Sequence, residues 1–249
     1  MSIYLYQPLY HLKKISENLW IVDGDQINMT VGPVKIPFPT RMTVVKLADD
    51  ELWIHSPIKP MDSLLTSLNQ LGSVRHLVSP NKLHYASMEE WRTLYPQAIT
   101  WYPPGLKEQL RKQDDHFVFD RELLDQAPED WEMELDQLVF RGSAYIEEVI
   151  FFHKSSRTLI MTDLIQNYRL SQTHSRMMKT LYRLGGIVAP CGKTPLDLRK
   201  SFLGHHDIVR EQIEQILKWH PDKLIISHGD IFESNVTEEL KRAFDWASK

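Results

Sequence analysis

Three side chains able to hold a metal ion stand far apart in the chain, each where an apolar run ends. His84 closes Ser79-Pro80-Asn81-Lys82-Leu83-His84, Asp163 follows Ile160-Met161-Thr162, and His228 ends Ile225-Ile226-Ser227 just before Gly229-Asp230. Two imidazoles and a carboxylate delivered by three strand ends are what a metal-assisted hydrolysis site requires. The neighbouring residues decide whether such a site was built.

Other candidates carry less chemistry. His205-His206 are adjacent at a helix start, so they point in different directions and are expected to cap or face solvent. His55, before Ser56-Pro57, either lines the same pocket or satisfies a turn. Arg41, after Pro39-Thr40, could meet an anionic substrate or close a structural salt bridge. Cys191 has no assignable base and reads as an incidental thiol.

The elements that position these residues follow from periodicity. Leu19-Trp20-Ile21-Val22 closed by Asp23-Gly24 reads as a strand into a turn. Residues 32–39 read as a proline-punctuated loop, because Pro33, Pro37 and Pro39 cannot all donate to a ladder. Residues 43–47 and 52–55 form an expected hairpin across a short acidic connection. Leu64, Leu65, Leu68 and Leu71 sit at helical spacing before Gly72, and the strand 76–78 follows. Ser87-Met88-Glu89-Glu90 has the form of a capping box, which leaves His84 in the loop between a strand and a helix. After an acidic, mobile-looking stretch at 114–136 come strands at 137–140, 149–152 and 158–161. A helix is expected over 171–185 with a glycine stop, another over 207–219, a strand over 223–228 and a closing helix over 237–247. Two β-rich halves, each followed by helices, predict an α/β (α+β) protein: a four-layer αββα sandwich in a single domain spanning 1–249.

Composition narrows the partners. A formal net charge of −4 gives no reason to expect nucleic acid or an anionic membrane. A small-molecule ligand or substrate is the expected partner. One cysteine excludes an intrachain disulfide and a thiolate zinc cluster, and a cytoplasmic setting is the simplest expectation. The first residues lack the pattern of a signal peptide, and no apolar run has the length of a membrane span, so the protein is expected to be soluble.

Several motifs together carry a resemblance: Leu52-Trp53-Ile54-His55-Ser56-Pro57, Pro80-Asn81-Lys82-Leu83-His84, Glu90-Trp91 with Tyr95-Pro96, Ser156-Arg157-Thr158-Leu159-Ile160 running into Thr162-Asp163-Leu164, and Ser227-His228-Gly229-Asp230. Over nearly its whole length the chain resembles the metallo-β-lactamase fold superfamily, and within it a divergent DUF4336-like family with a reduced metal motif. The superfamily's His-x-His-x-Asp-His loop falls on Ser79, Asn81, Leu83 and His84, so three of its four ligands are replaced. The next family histidine would fall between 142 and 148, where none occurs and Ser143, Tyr145, Glu147 and Glu148 stand nearby. Asp163 matches the metal-bridging aspartate and His228 the final histidine.

The resemblance implies that two ions cannot be held, since Leu83 offers no lone pair where the family has its aspartate. One Zn²⁺ or Fe²⁺ ion remains within reach of His84, Asp163 and His228, with Asn81 or Glu148 completing the set and Asp230 or Glu148 handling protons. Glu148, Arg41 and His55 are the residues expected to face a substrate. The competing reading is ion-free: both imidazoles hydrogen-bond Asp163 in a vestigial polar cluster, and the protein binds a small molecule or partner without catalysis. Arg157 is expected to pair with Glu147 or Glu148.

Overall fold

In a computed structural model, residues 3–31 and 34–248 are described. β1 (Lys13–Ser16), β2 (Leu19–Val31), β3 (Val34–Lys46), β4 (Glu51–His55), β5 (Ser73–Val78), β6 (Ile99–Tyr102) and β7 (Arg121–Glu122) pair in chain order as a seven-stranded sheet. β8 (Leu135–Phe140), β9 (Glu148–His153), β10 (Thr158–Ile160) and β11 (Lys223–Ile225) form a four-stranded sheet in the order β11-β10-β9-β8. The helices are α1 (Asp62–Leu71), α2 (Met88–Leu94), α3 (Leu106–Gln113), α4 (Arg176–Gly185), α5 (Leu196–Lys200), α6 (His206–Leu217) and α7 (Val236–Ala243).

Side-chain alternation along the strands decides the layering. Ile21, Val45, Trp53 and Val78 of the large sheet meet Val139, Val149, Phe151, Ile160 and Ile225 of the small one, which makes the core between the sheets. Their neighbours Val22, Val44, Leu52, Ile54 and Leu77 face the other way, under Leu64 and Leu68 of α1, Trp91 of α2 and Leu106 of α3. On the far face of the small sheet, Phe140, Ile150, Phe152, Leu159 and Leu224 lie beneath Leu198 of α5, Val209 and Ile216 of α6 and Leu240 of α7. The result is helix, sheet, sheet, helix, the four layers expected from the order of elements.

The departures have physical reasons. Residues 34–39 are strand: Pro37 and Pro39 lie in β3 opposite Asn28 and Gln26. Two prolines at i and i+2 turn the same way, and β4 pairs only with residues 43–46 of β3, so no ladder bond is asked of them. Gly32 and Pro33 lie outside the described residues. α2 begins at the expected place, but Ser87 has φ −98° and ψ 2° and its side chain accepts no capping hydrogen bond. The stretch at 114–136 is packed, because Phe119, Leu123 and Trp131 are buried while the acids stay outside, and Asp120 Oδ2 accepts from Thr100 N at 2.8 Å. α4 starts five residues later than expected, where Ser175 accepts a hydrogen bond from Met178 N, and it stops on Gly186 at φ 71°. The sequence reading passed over α3 and α5.

Candidate metal centre

Register brings two of the three ligands together. β10 and β11 run parallel with Ile160 opposite Ile225, and Asp163 and His228 each follow three residues later. The loop after β5, in the facing sheet, supplies His84. His84 Nε2 lies 3.1 Å from Asp163 Oδ2, and His228 Nε2 lies 3.1 Å from Asp163 Oδ1. The three candidate ligand atoms all fall within 4.8 Å of one another.

The outer nitrogens of both rings are engaged. His228 Nδ1 is 3.0 Å from the Pro39 carbonyl oxygen, which can only accept, so Nδ1 carries the proton. A neutral His228 therefore turns the lone pair of Nε2 toward the Asp163 carboxylate. Two such lone pairs repel at 3.1 Å unless a proton or a cation lies between them. His84 Nδ1 lies 2.6 Å from Ser56 Oγ, and Ser56 is held in the left-handed region at φ 53° at the end of β4. Ring nitrogens anchored to a carbonyl or a hydroxyl are the usual support for imidazole metal ligands.

Beneath the triad lies a buried polar layer. Asn81 Nδ2 donates to Asp163 Oδ2 at 2.8 Å and to Thr162 Oγ1 at 2.8 Å, while Asn81 Oδ1 accepts from the backbone N–H groups of Leu83 and His84. The Asn81 oxygen thus faces its own loop, and its amide nitrogen faces the aspartate. Glu148 is fully buried; Oε1 accepts from Thr162 N at 2.7 Å and Oε2 from Asp163 N at 2.8 Å. A backbone bridge between Asn81 and Glu148 fixes this layer, which turns Glu148 toward the loop backbone and away from open space. Ser79 Oγ donates to the Asn81 carbonyl oxygen at 3.0 Å, and Leu83 packs against the core of the small sheet. The positions that lost their ligands now build the loop.

Arg41 is also buried. Its Nε donates to Asp23 Oδ1 at 2.8 Å and its Nη1 to the carbonyls of Ile226 at 2.7 Å and Gly229 at 2.8 Å, so it clamps the loop that carries His228. His55 is 1% exposed, stacks on Trp53 and leaves both ring nitrogens without a hydrogen bond. Burial pushes its pKa down to about 3, with the charge of His84 adding to the effect, so the ring stays neutral. Asp230 pairs with Arg169 at 2.5 Å on the rim. Arg157 pairs with Asp222 at 2.8 Å, where the sequence reading expected Glu147 or Glu148. His205 is exposed and caps nothing with its side chain, and Cys191 is exposed.

Sequence reasoning passed over Ser56, the Pro39 carbonyl, Thr162 and Asn167. Asn167 offers no sequence signal, yet its backbone lies so close to Gly229, at φ 121°, that a Cβ there would fall 2.3 Å from Asn167 O. Glycine is the residue that allows the His228 loop to turn against it.

Electrostatics bind the triad as a unit. Burial works to raise the Asp163 carboxyl, but the His84 charge and the hydrogen bonds from both imidazoles outweigh it and hold Asp163 below the usual carboxylate range. Burial pulls His84 down, while Asp163 and, behind it, Glu148 pull it up further, so the net shift is upward. Glu148 is raised, by burial first and the Asp163 charge second, against the backbone N–H groups that favour its ionised form. In chelator-stripped protein, stability from the raised His84 is full below the ordinary histidine value of 6.5 and is lost as pH climbs through the higher folded value. Stability from the depressed Asp163 is full above 3.8 and is lost as pH falls toward its lower folded value. Unfolding midpoints across pH should fall off on both sides of that range, and Asp163→Asn should flatten both slopes.

Two facing sheets inside two helical layers, with the candidate ligands after β5, β10 and β11, define the metallo-β-lactamase fold. Solved structures agree in architecture. A DIM-1 metallo-β-lactamase crystal exposed to ceftazidime superposes with a TM-score of 0.64 at 14% identity, covering 100% of this chain and 98% of that one. The FIM-1 metallo-β-lactamase from Pseudomonas aeruginosa, in its mono-zinc form, gives 0.62 at 10% identity, covering 99% and 97%. A fragment of a putative diflavin flavoprotein from Nostoc sp. gives 0.62 at 12% identity, covering 100% and 98%. These likenesses show the fold. The chain belongs to the family described as Domain of unknown function (DUF4336), whose model matches residues 16–180 and so takes in His84 and Asp163. No curated protein matches the sequence.

Proposed function

We propose that this chain is a hydrolase-like enzyme working with one Zn²⁺ or Fe²⁺ ion, held by Nε2 of His84, a carboxylate oxygen of Asp163 and Nε2 of His228. The observation that carries the reading is the His228 ring, whose outer nitrogen lies 3.0 Å from an acceptor carbonyl while its inner nitrogen lies 3.1 Å from a carboxylate oxygen, so that the neutral ring needs a cation between the two. The donor set fits. Ligand distances of about 2.0–2.1 Å around a tetrahedral ion put neighbouring ligand atoms roughly 3.3 Å apart; each imidazole lies 3.1 Å from a different oxygen of Asp163, and one ligand atom from each residue falls within 4.8 Å of the others, so binding draws the three inward. A single zinc in FIM-1, on the same fold, supports the count.

When bound, the ion would supply Lewis-acid polarisation of a substrate oxygen and a water of lowered pKa. The chain's own residues do the rest. Ser56 and the Pro39 carbonyl fix the two rings, Asn81 holds one oxygen of Asp163, and the raised Glu148 stays linked to the loop backbone beneath. Leu83 removes the position from which a second ion would be held.

The ion-free alternative, a small-molecule binding protein without catalysis, draws on the His84–Asp163 contact, which a neutral His84 satisfies unaided. Turnover separates the two. Protein loaded with Zn²⁺ or Fe²⁺ is expected to cleave at least one class among esters, lactones, thioesters and phosphodiesters, with loss of turnover on chelation and in His228→Ala. Loaded protein inert toward all four classes would favour the binding reading.

A further inference from the structure

The whole-chain charge conceals a local reversal. Residues 176–203 contain six cations and one acid in a chain whose net charge is −4. Lys193 pairs with Asp245, and Arg199 turns inward to the carbonyls of Thr194 and Gly185, which ties α5 to the end of α4. Arg176, Lys179, Arg183 and Lys200 have no ion-pair partner among the described residues.

The same segment exposes apolar surface. Five of the thirteen large apolar side chains exposed among the described residues are Met177, Leu181, Leu184, Leu196 and Leu203, each between 40% and 70% accessible. Met177, Leu181 and Leu184 stand at i, i+4 and i+7, a single stripe along α4. Met178 and Tyr182 take the adjoining face, roughly 100° round the helix, buried in a small cluster with Tyr168 and Ile187. The inward face of α4 is therefore already used, and beside it runs an exposed aliphatic stripe, with Arg176, Lys179 and Arg183 grouped on the remaining side of the helix.

We infer that the outer face of α4 and α5 docks on an anionic lipid bilayer surface, with the helix lying in the plane of the headgroups. Charge complementarity selects this occupant: an exposed aliphatic stripe on a helix whose charged residues, Arg176, Lys179 and Arg183, are all cations is the composition of an interfacial helix. Protein-binding hot spots favour Trp and Tyr and are poor in Leu. A second copy is disfavoured, because apposing two such faces sets like charges against each other. No helix among the described residues is long and apolar enough to cross a membrane, so the attachment is peripheral.

Co-sedimentation with phosphatidylcholine vesicles containing about 30% phosphatidylserine tests it. Binding should be stronger by about tenfold or more than to phosphatidylcholine alone, and should be lost in about 0.5 M salt. Leu181→Glu/Leu184→Glu and, separately, Arg176→Glu/Arg183→Glu should each abolish it with an unchanged unfolding midpoint. Both pairs are exposed, and if one unfolds the other decides. Failure to bind the anionic vesicles, binding that a folded variant retains, or a wild-type dimer split by the leucine substitutions would each overturn the inference. The assay does not read turnover and stands apart from the metal centre.

Discussion

Replacing Asp163 with asparagine should reduce affinity for Zn²⁺ or Fe²⁺ by more than about 100-fold, beyond the 10- to 100-fold typical of losing an outer-shell partner. The carboxylate touches both imidazoles, one through each oxygen. An amide of the same shape removes the negative charge and turns an NH₂ toward one of the two rings. His228→Ala should match it, because no other imidazole stands beside Asp163 on that side. Competition against a chromogenic chelator measures both. A variant that binds within about threefold of wild type would place the ion elsewhere, since a lost charged ligand costs far more than that.

Glu148→Ala should cost about 2–5 kcal/mol of folding stability, the largest loss expected from a single residue at the centre. The side chain accepts from two consecutive backbone N–H groups, those of Thr162 and Asp163, in a place with no exposure to water. Removing it leaves both donors buried without partners, beside a cavity. Glu148→Gln should recover only part of the loss, because one of its two termini becomes a donor facing a donor. Denaturant unfolding of the metal-free variants separates this from any loss of ion. A cost below about 0.5 kcal/mol for the alanine variant would show that water replaces the carboxylate and that the layer does not hold the Asp163 loop.

His84, Asp163 and His228 were legible because each follows an apolar strand, and a strand end predicts its own location. The parallel register that sets Asp163 beside His228 joins two short apolar runs, each visible in the sequence, but their pairing is not. What supports them was not legible. The Pro39 carbonyl reaches His228 across 189 positions, and Arg41 reaches Gly229 across 188; no local pattern encodes such meetings. Glu148 looked like a residue that could complete the metal set or face a substrate, because it stands near where the resembling family has its next histidine. Its burial depends on the bridge to Asn81. Likewise Pro37 and Pro39 argued for a loop, and they lie in a strand because, among the described residues, β4 pairs with β3 only over residues 43–46. The basic face of α4 escaped notice because a whole-chain charge averages it away.

The most direct test is metal stoichiometry. Protein stripped with chelator, loaded with Zn²⁺ or, without oxygen, with Fe²⁺, and desalted should retain about one ion per chain, as expected for a centre of three protein ligands. Asp163→Asn and His228→Ala should retain almost none. Wild-type retention near zero after loading with either metal would contradict the account, and retention near two would contradict the role assigned to Leu83.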